Sequence, residues 1–485
     1  MKICVVAEGC YPYVVGGVSG WIQSLIKSFP NIEFLIVTIV SNRSMRGKFV
    51  YELPPNVTKV YELYLEDLDW YNGGKTKKRR ERLKEKDYIE LRNLILSQNV
   101  DWERLFHIFQ NDNLSIDDLL MGADFMSAAT DYYKKKFNGI VYSDFLWTMR
   151  SIYLPLLFTL KMKIPKADLY HCVATGYAGV LGSMAKTFYG SGLLISEHGI
   201  YTREREEELI KAKWVSGIYK NIWIEQFHKM ASLAYYKADL VTSLYEHARK
   251  LQIEFGCPEE KTLVTPNGID VERLTDLRDK NMEELEDINI GAIMRVTPIK
   301  DIKTLIRAFG YAKSQQPRLK LFIMGPWEED ETYARECFEL VNMLEIQDII
   351  FTGSIDIREY LGRMDMTILT SVSEGQPLTI LESFAAKKPV IATDVGNCKG
   401  LILGEGDEFG PAGIITHIMS IDEITRAILD LANHPDLRQR MGENGYQRVL
   451  YKYKVEDMRE KYRQIYMKFA ESMEIPWSEE VFTPL

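Results

Sequence analysis

Glu374 and Glu382 stand with seven residues between them in the stretch SVSEGQPLTILESFAAKKPVIATD, from Ser371 to Asp394. Gly375 permits close backbone approach, and Pro377 suits the first position of a helix, where a missing N–H costs nothing. The N–H groups of Leu378, Thr379 and Ile380 then sit at the positive end of that helix, a ready site for an anion. Carboxylates beside a phosphate would repel it. The two glutamates are therefore better suited to gripping the hydroxyls of something attached to the phosphate, and an anion flanked by polyol contacts describes a nucleotide sugar. Arg295 and Lys300 flank the turn RVTPIK. Two cations there could neutralise a diphosphate, the arginine with a planar fork and the lysine as a point charge. The plainer alternative is solvated surface charge, but placement at a strand end favours function. His198, in Glu197-His198-Gly199, would end another strand and is followed by the polar run TRERE. A lone histidine is usually structural. This one gains weight because parallel sheets bind ligands at the carboxyl ends of their strands.

The elements that must position these residues follow a βα alternation. Ile3 to Ala7 reads as a strand, EGCYPYVVGGVSGW as a Gly-rich loop, and Trp21, Leu25, Ile26 and Phe29 as a helical pattern. Gly16-Gly17 is not a dinucleotide fingerprint; alone it is a turn, and paired with the distant Glu374 loop it could line a cleft. Phe34 to Val40 reads as the second strand. Leu169 to Cys172, Leu193 to Ser196, Ala238 to Ser243 and Leu263 to Thr265 complete the first half, which closes with Pro266-Asn267-Gly268-Ile269-Asp270. Residues 271–286 read as a linker. A second series follows, with strands at Ile288 to Met294, Leu319 to Met324, Ile349 to Thr352, Met366 to Leu369 and Val390 to Ala392. The tail beyond 421 is helical, and its last helix, Val455 to Met473, carries Tyr462, Tyr466 and Phe469. Aromatic-rich helical patterns from Trp102 to Leu160 suggest an insertion over about 65–150. The expected domains are 1–275 with that insertion, 285–452, and a final helical segment, 453–485, that packs back on the first domain.

The chain has 485 residues, 46% hydrophobic and 27% charged, enough for two or three ordinary globular domains. A net charge of −9 argues against nucleic acid as a partner. The run Lys75 to Lys86 holds eight basic residues, most simply a solvated helix face, with an anionic membrane surface or a partner as the minority reading. Asp67-Leu68-Asp69 spells DxD without a strand before it and is taken as chance. Six scattered cysteines without a CxxC pair fit a reduced, cytoplasmic chain. Met1-Lys2 leads straight into ICVVA without a leader, and Ile152 to Leu160 is too short to span a bilayer, so a soluble chain is expected.

Two Rossmann-like halves, a Gly-Gly loop in the first, and RVTPIK, GxPLTxLE and KKPVIATDVG in order in the second resemble glycosyltransferase family four. EGCYPYVVGGVSGW and SEHGIYTRERE look most like its PelF-type subgroup. The resemblance covers most of the chain outside 65–150. It implies an α/β GT-B fold, two Rossmann-like domains facing across a cleft, with the C-terminal helix crossing back to the first domain. It implies a retaining hexosyltransferase that moves a hexose from a UDP-sugar to an exopolysaccharide or other glycan acceptor, without metal or further cofactor. It leaves open a place beside a membrane-bound polysaccharide synthesis complex, at the inner face of the plasma membrane. Arg295 and Lys300 would hold the donor diphosphate with the N–H groups of Leu378 and Thr379, and Glu382 the ribose hydroxyls. Glu374 and the Gly375–Gln376 backbone would contact the sugar, uracil would lie near Ser354 and Ile355, Gly17 beside Gly16 would approach the phosphate, and His198 would reach the sugar near the reacting carbon. A UDP-sugar epimerase or hydrolase on the same fold, or a silent nucleotide-sugar-binding subunit, are the alternatives.

Overall fold

A computed structural model describes residues 1–482 other than 42, 66–81, 112–113, 138, 213–214 and 216. The DxD run and the first part of the basic run, to residue 81, lie outside the described residues. The chain divides into two compact units: residues 1–264 together with 464–485, and residues 265–463.

The first unit is built on seven parallel strands, β1 (Lys2–Glu8), β2 (Glu33–Val40), β3 (Val57–Tyr64), β4 (Leu169–Cys172), β5 (Gly192–Glu197), β6 (Leu240–Ser243) and β7 (Thr262–Val264), in the order β3-β2-β1-β4-β5-β6-β7. β1 and β2 pair in register from Lys2 with Glu33 to Glu8 with Ile39, and both are buried along almost their whole length. Continuous burial is what a parallel strand covered on both faces requires. The helix Gly17–Ser28 buries Trp21, Ile22, Leu25 and Ile26, one stripe at helical spacing. Among the described residues between β3 and β4 lie five helices, Glu85–Ile95, Trp102–Phe109, Ile116–Leu120, Ala123–Lys136 and Tyr142–Lys161. Phe106, Phe109, Phe125 and Phe145 from them join the same core as β1 and β5. Asp101 and Ser115 cap two of these helices by accepting from the N–H groups of Arg104 and Asp118. No helix among the described residues is long and apolar enough to cross a membrane.

The helix Val455–Ser472 ends within the first unit, which claims the chain from Gln464 onward. There the Tyr466 ring meets Phe29 edge-on at 5.1 Å, and its hydroxyl lies 2.8 Å from His171 Nδ1. Gly192 in β5 makes room for Phe469, since a Cβ at that position would come within 2.8 Å of its ring.

The second unit has six parallel strands, β8 (Ile288–Ile293), β9 (Leu319–Met324), β10 (Ile349–Gly353), β11 (Met366–Leu369), β12 (Val390–Thr393) and β13 (Gly413–Thr416), ordered β10-β9-β8-β11-β12-β13. Both sheets therefore reverse direction of growth beside their first strand. In open sheets of this kind ligands bind at that switch point, outside the carboxyl ends of the strands. Within residues 271–286, Val271 and Leu274 pack into the core of this unit. A buried ion pair braces its far side: Arg448, with no exposed surface, binds the Asp407 carboxylate at 2.8 and 2.9 Å and donates to the carbonyls of Leu401, Ile402 and Gly410.

All six cysteines are free thiols, five of them buried and Cys10 partly so. Burial pushes each thiol upward, Cys337 to about 11 and Cys10 and Cys257 to about 12.

Candidate functional site

In the second unit the switch point lies between β8 and β11, which pair through Met366 and Ile290. The loop after β8 carries Arg295 and Lys300, and the loop after β11 carries Glu374. The two loops are fastened together by backbone and side chain. The N–H of Val372 donates to Ile299 O at 2.9 Å, and the Thr370 hydroxyl donates to Lys300 O at 2.9 Å. Lys300 Nζ forms an ion pair with Glu374, whose Oε1 also accepts from the Ser371 hydroxyl at 2.5 Å. Both side chains of the pair are mostly enclosed, 16% and 12% exposed. Asp301 follows in the left-handed region at φ 47 and turns the chain into the helix Ile302–Gln315. This geometry aims Lys300 back at the second loop.

Glu374 is held from behind by the turn after β12. The N–H of Asn397 donates to Gly375 O at 2.8 Å, and Gly396 has a φ of 53. A Cβ at Gly396 would lie 2.1 Å from Glu374 O, so only glycine lets the two turns approach. Gln376 is buried, and its Oε1 accepts from the N–H of Asn267 at 2.8 Å, fixing the loop from the other side.

The helix that follows spans Leu378–Ala385, with Pro377 at its N-cap rather than at the first helical position. The N–H of Ile380 donates to Pro377 O at 3.3 Å. That removes Ile380 from the expected set of three free N–H groups, because the first turn tightens to an i→i+3 bond. Leu378 and Thr379 remain at the helix start, both partly exposed. Glu382 lies one turn on. Burial pushes its carboxyl up to about 7, and the Arg273 charge opposes the shift.

Arg295 takes a different partner. Its Nη1 stands between the two carboxylate oxygens of Glu329, at 2.7 and 2.5 Å. Ser354, exposed, and Ile355, half-buried, follow β10. Gly353 before them has a φ of 71, and a Cβ there would lie 3.2 Å from the Trp327 ring. The strand ends of this unit thus bring Arg295, Lys300, Glu374 and the helix start to one end of one sheet.

In the first unit the switch point lies between β1 and β4. Gly16 is the N-cap of Gly17–Ser28, in extended backbone, and a Cβ at Gly16 or Gly17 would meet nothing within 4 Å. Protein packing does not demand glycine there. His198 packs edge-on against Trp21, ring centres 4.4 Å apart. Its Nε2 is buried without a partner among the described residues, and burial lowers the ring's pKa to about 4, so it is neutral at pH 7. The polar run after it lies in a helix, Tyr201–Lys211. The turn before that helix places Tyr201 OH 2.8 Å from Glu8 Oε1, and the Ala178 N–H donates to Glu8 Oε2 at 3.1 Å. Glu197 is buried and satisfied by Thr175, Tyr235 and Gln252.

Ser371, Asn267, Arg273 and Glu329 are partners that sequence reasoning missed. Of these, Ser371 and Asn267 stood in stretches singled out beforehand, and Arg273 stood in the stretch read as a linker. Among the described residues no group of three or more His, Cys, Asp or Glu side chains could hold a metal ion.

An uncharacterized glycosyltransferase of Methanocaldococcus jannaschii is 27% identical over 192 residues, which is 37% of this chain and 44% of that protein. The MMP alpha-(1->4)-mannosyltransferase of Mycolicibacterium hassiacum is 24% identical over 298 residues, 58% of this chain and 66% of that protein. The chain thus spans less than two thirds of the length of either relative. The structure of Anabaena HepE, solved in complex with UDP, superposes with a TM-score of 0.62 at 14% identity, covering 96% of this chain and all of that one. At that identity the likeness speaks for the fold, and the fold is GT-B. Residues 275–448 match the family described as Glycosyl transferases group 1, and residues 1–260 match the one described as Domain of unknown function (DUF3492). The second match takes in more than half of the chain, which therefore belongs to the DUF3492 family and carries a group 1 glycosyl transferase domain behind it.

Proposed function

We propose that this protein is a retaining hexosyltransferase that uses a UDP-sugar, such as UDP-glucose, as donor and a glycan, of an exopolysaccharide or similar kind, as acceptor. One observation carries the reading: the Lys300–Glu374 ion pair joins the two switch-point loops of the second unit beside the start of the helix Leu378–Ala385. A diphosphate needs fixed positive charge where the leaving group gathers negative charge. Arg295, Lys300 and the N–H groups of Leu378 and Thr379 are of that kind, and in this reading they do the work without a metal. Glu382 grips the ribose, Ser354 and Ile355 border the base, and Glu374 with the Gly375–Gln376 backbone orients the sugar. His198, neutral at pH 7, orients the sugar and assists as a dipole rather than as a cation. The Gly16–Gly17 loop is assigned to the phosphate. In the step itself the C1–O bond to UDP breaks. The new bond to the acceptor oxygen forms on the same face, and the acceptor proton passes to the departing diphosphate.

A mannosyltransferase among the relatives and a neighbour solved with UDP support a sugar-transfer reading. The subgroup resemblance supports an exopolysaccharide acceptor and an association with a membrane-bound synthesis complex. The test is a screen of UDP-, GDP- and ADP-sugars with and without glycan acceptors, in chelator, on the intact chain and on Arg295→Ala and Lys300→Ala. Acceptor-dependent transfer that both substitutions abolish is the expected result. Near-normal kcat/KM in either variant would refute the assignment of the cations, and sugar conversion without an acceptor would replace transfer by epimerisation or hydrolysis.

A further inference from the structure

Arg295 and Lys300, the two cations assigned to the diphosphate, both hold carboxylates in the structure, but in different ways. Lys300 and Glu374 are mostly enclosed. Arg295 and Glu329 are half-exposed, and Glu329 has no place in the reading above. Its position is nevertheless set by the backbone. Met294 N–H donates to Met324 O at 3.0 Å and Val296 N–H to Pro326 O at 2.9 Å, so the loop after β9 is laced to the loop after β8. Gly325 permits this, since a Cβ there would lie 2.2 Å from Met294 O. Beyond it Glu328 accepts from the Trp327 N–H at 3.0 Å, and Asp330 caps the helix Glu331–Met343 by accepting from the Tyr333 N–H at 2.9 Å. Glu328 and Asp330 thus each have a structural bond to make. Among the described residues Glu329 between them makes none except to Arg295 Nη1, which it holds between both of its oxygens.

A carboxylate so placed occupies the guanidinium as one edge of a phosphate would, with two oxygens on a cationic nitrogen. We propose that Glu329 is an internal stand-in for a donor phosphate: it keeps the Arg295 side chain extended along the crevice and yields it by exchange to an incoming diphosphate. The inference rests on the reading that Arg295 binds the donor diphosphate. Its consequence is selectivity. A ligand must carry enough negative charge to displace a carboxylate, so a nucleoside without phosphates leaves the Arg295–Glu329 pair untouched. Because the pair is half-exposed, the competition it exerts is modest and is screened by salt.

Calorimetric titration of the full chain with UDP and with uridine, at low and high ionic strength, tests the exchange. Glu329→Gln and Glu329→Ala are each expected to bind UDP about two- to five-fold more tightly than the native chain at low salt. The gain should shrink at high salt and vanish for uridine. Glu331→Gln, which removes a neighbouring exposed charge that does not pair with Arg295, is expected to change UDP binding by less than either. UDP affinity unchanged or weakened in both Glu329 variants would overturn the proposal, as would an equal gain in Glu331→Gln. Arg295→Ala separates the two levels of the reasoning. If it binds UDP as the native chain does, the donor reading falls as well. If it loses affinity while the Glu329 variants gain none, only the exchange is wrong.

Discussion

Replacing Glu382 by glutamine exposes a conflict between stability and binding that the structure sets up. Burial raises the Glu382 carboxyl from its ordinary value of 4.5 to about 7, against the pull of Arg273. At about 1.36 kcal/mol per pH unit, keeping this group ionised in the folded chain costs up to about 3 kcal/mol, a ceiling because the side chain is partly solvated. The sign follows from proton counting. Below the ordinary value both folded and unfolded chains hold the proton and no difference arises. Between that value and about 7 the unfolded chain has released the proton and the folded chain has not, so native stability falls as pH rises. Above about 7 the full penalty is present. Glutamine mimics the protonated form and does not titrate. Urea unfolding across pH 4 to 8.5 (roughly the span that brackets both values) should therefore show Glu382→Gln gaining on the native chain with rising pH. Its advantage should level off near pH 8 at about 1 to 3 kcal/mol. UDP affinity should move the other way. If the ionised carboxylate grips ribose hydroxyls, native binding strengthens as pH rises through about 7, while the glutamine variant binds more weakly and without that inflection. A variant no more stable than the native chain at pH 8 would refute the burial argument. A pH-independent native UDP affinity would refute the role at the ribose.

Other perturbations follow from the same packing. Arg448→Met leaves the Asp407 carboxylate buried without its cation and frees the carbonyls of Leu401, Ile402 and Gly410, so unfolding free energy should drop by about 3 to 5 kcal/mol. Adding Asp407→Asn to Arg448→Met should recover part of that loss, and a strictly additive double variant would contradict the pairing. Gly396→Ala puts a Cβ against Glu374 O in a backbone region that L residues avoid. It should cost about 1 to 3 kcal/mol and weaken UDP binding by displacing the Glu374 loop, with unchanged binding as the contrary result.

The strands that carry the site were legible because their burial is continuous: Leu169–Cys172, Leu319–Met324 and Met366–Leu369 fall where the apolar runs put them. β3 was missed because it lies at the sheet edge, where Thr58 and Lys59 face solvent and break the apolar run. β13 was missed because four residues in a Gly- and Pro-rich stretch give too short a pattern. The helix Gly217–Lys237 also carries large apolar side chains outside its buried stripe, with Ile218 and Tyr236 exposed, so no clean apolar face announces it. Candidate site residues at strand ends, Arg295, Lys300 and Glu374, could be read from spacing because topology alone fixes which loops meet. Their partners could not. Glu329 reaches Arg295, and Asn267 reaches Gln376, through pairings set by how loops fold back after β9 and β7, which no local pattern encodes.

The six enclosed thiols have a practical corollary. With each of the six cysteine thiols held protonated and five of them buried, maleimide chemistry near neutral pH has little to attack in the folded chain. A single cysteine placed on the surface would accept a fluorophore or spin label almost alone. The unaltered sequence is thus a convenient background for spectroscopic rulers, without first stripping out its own sulfur.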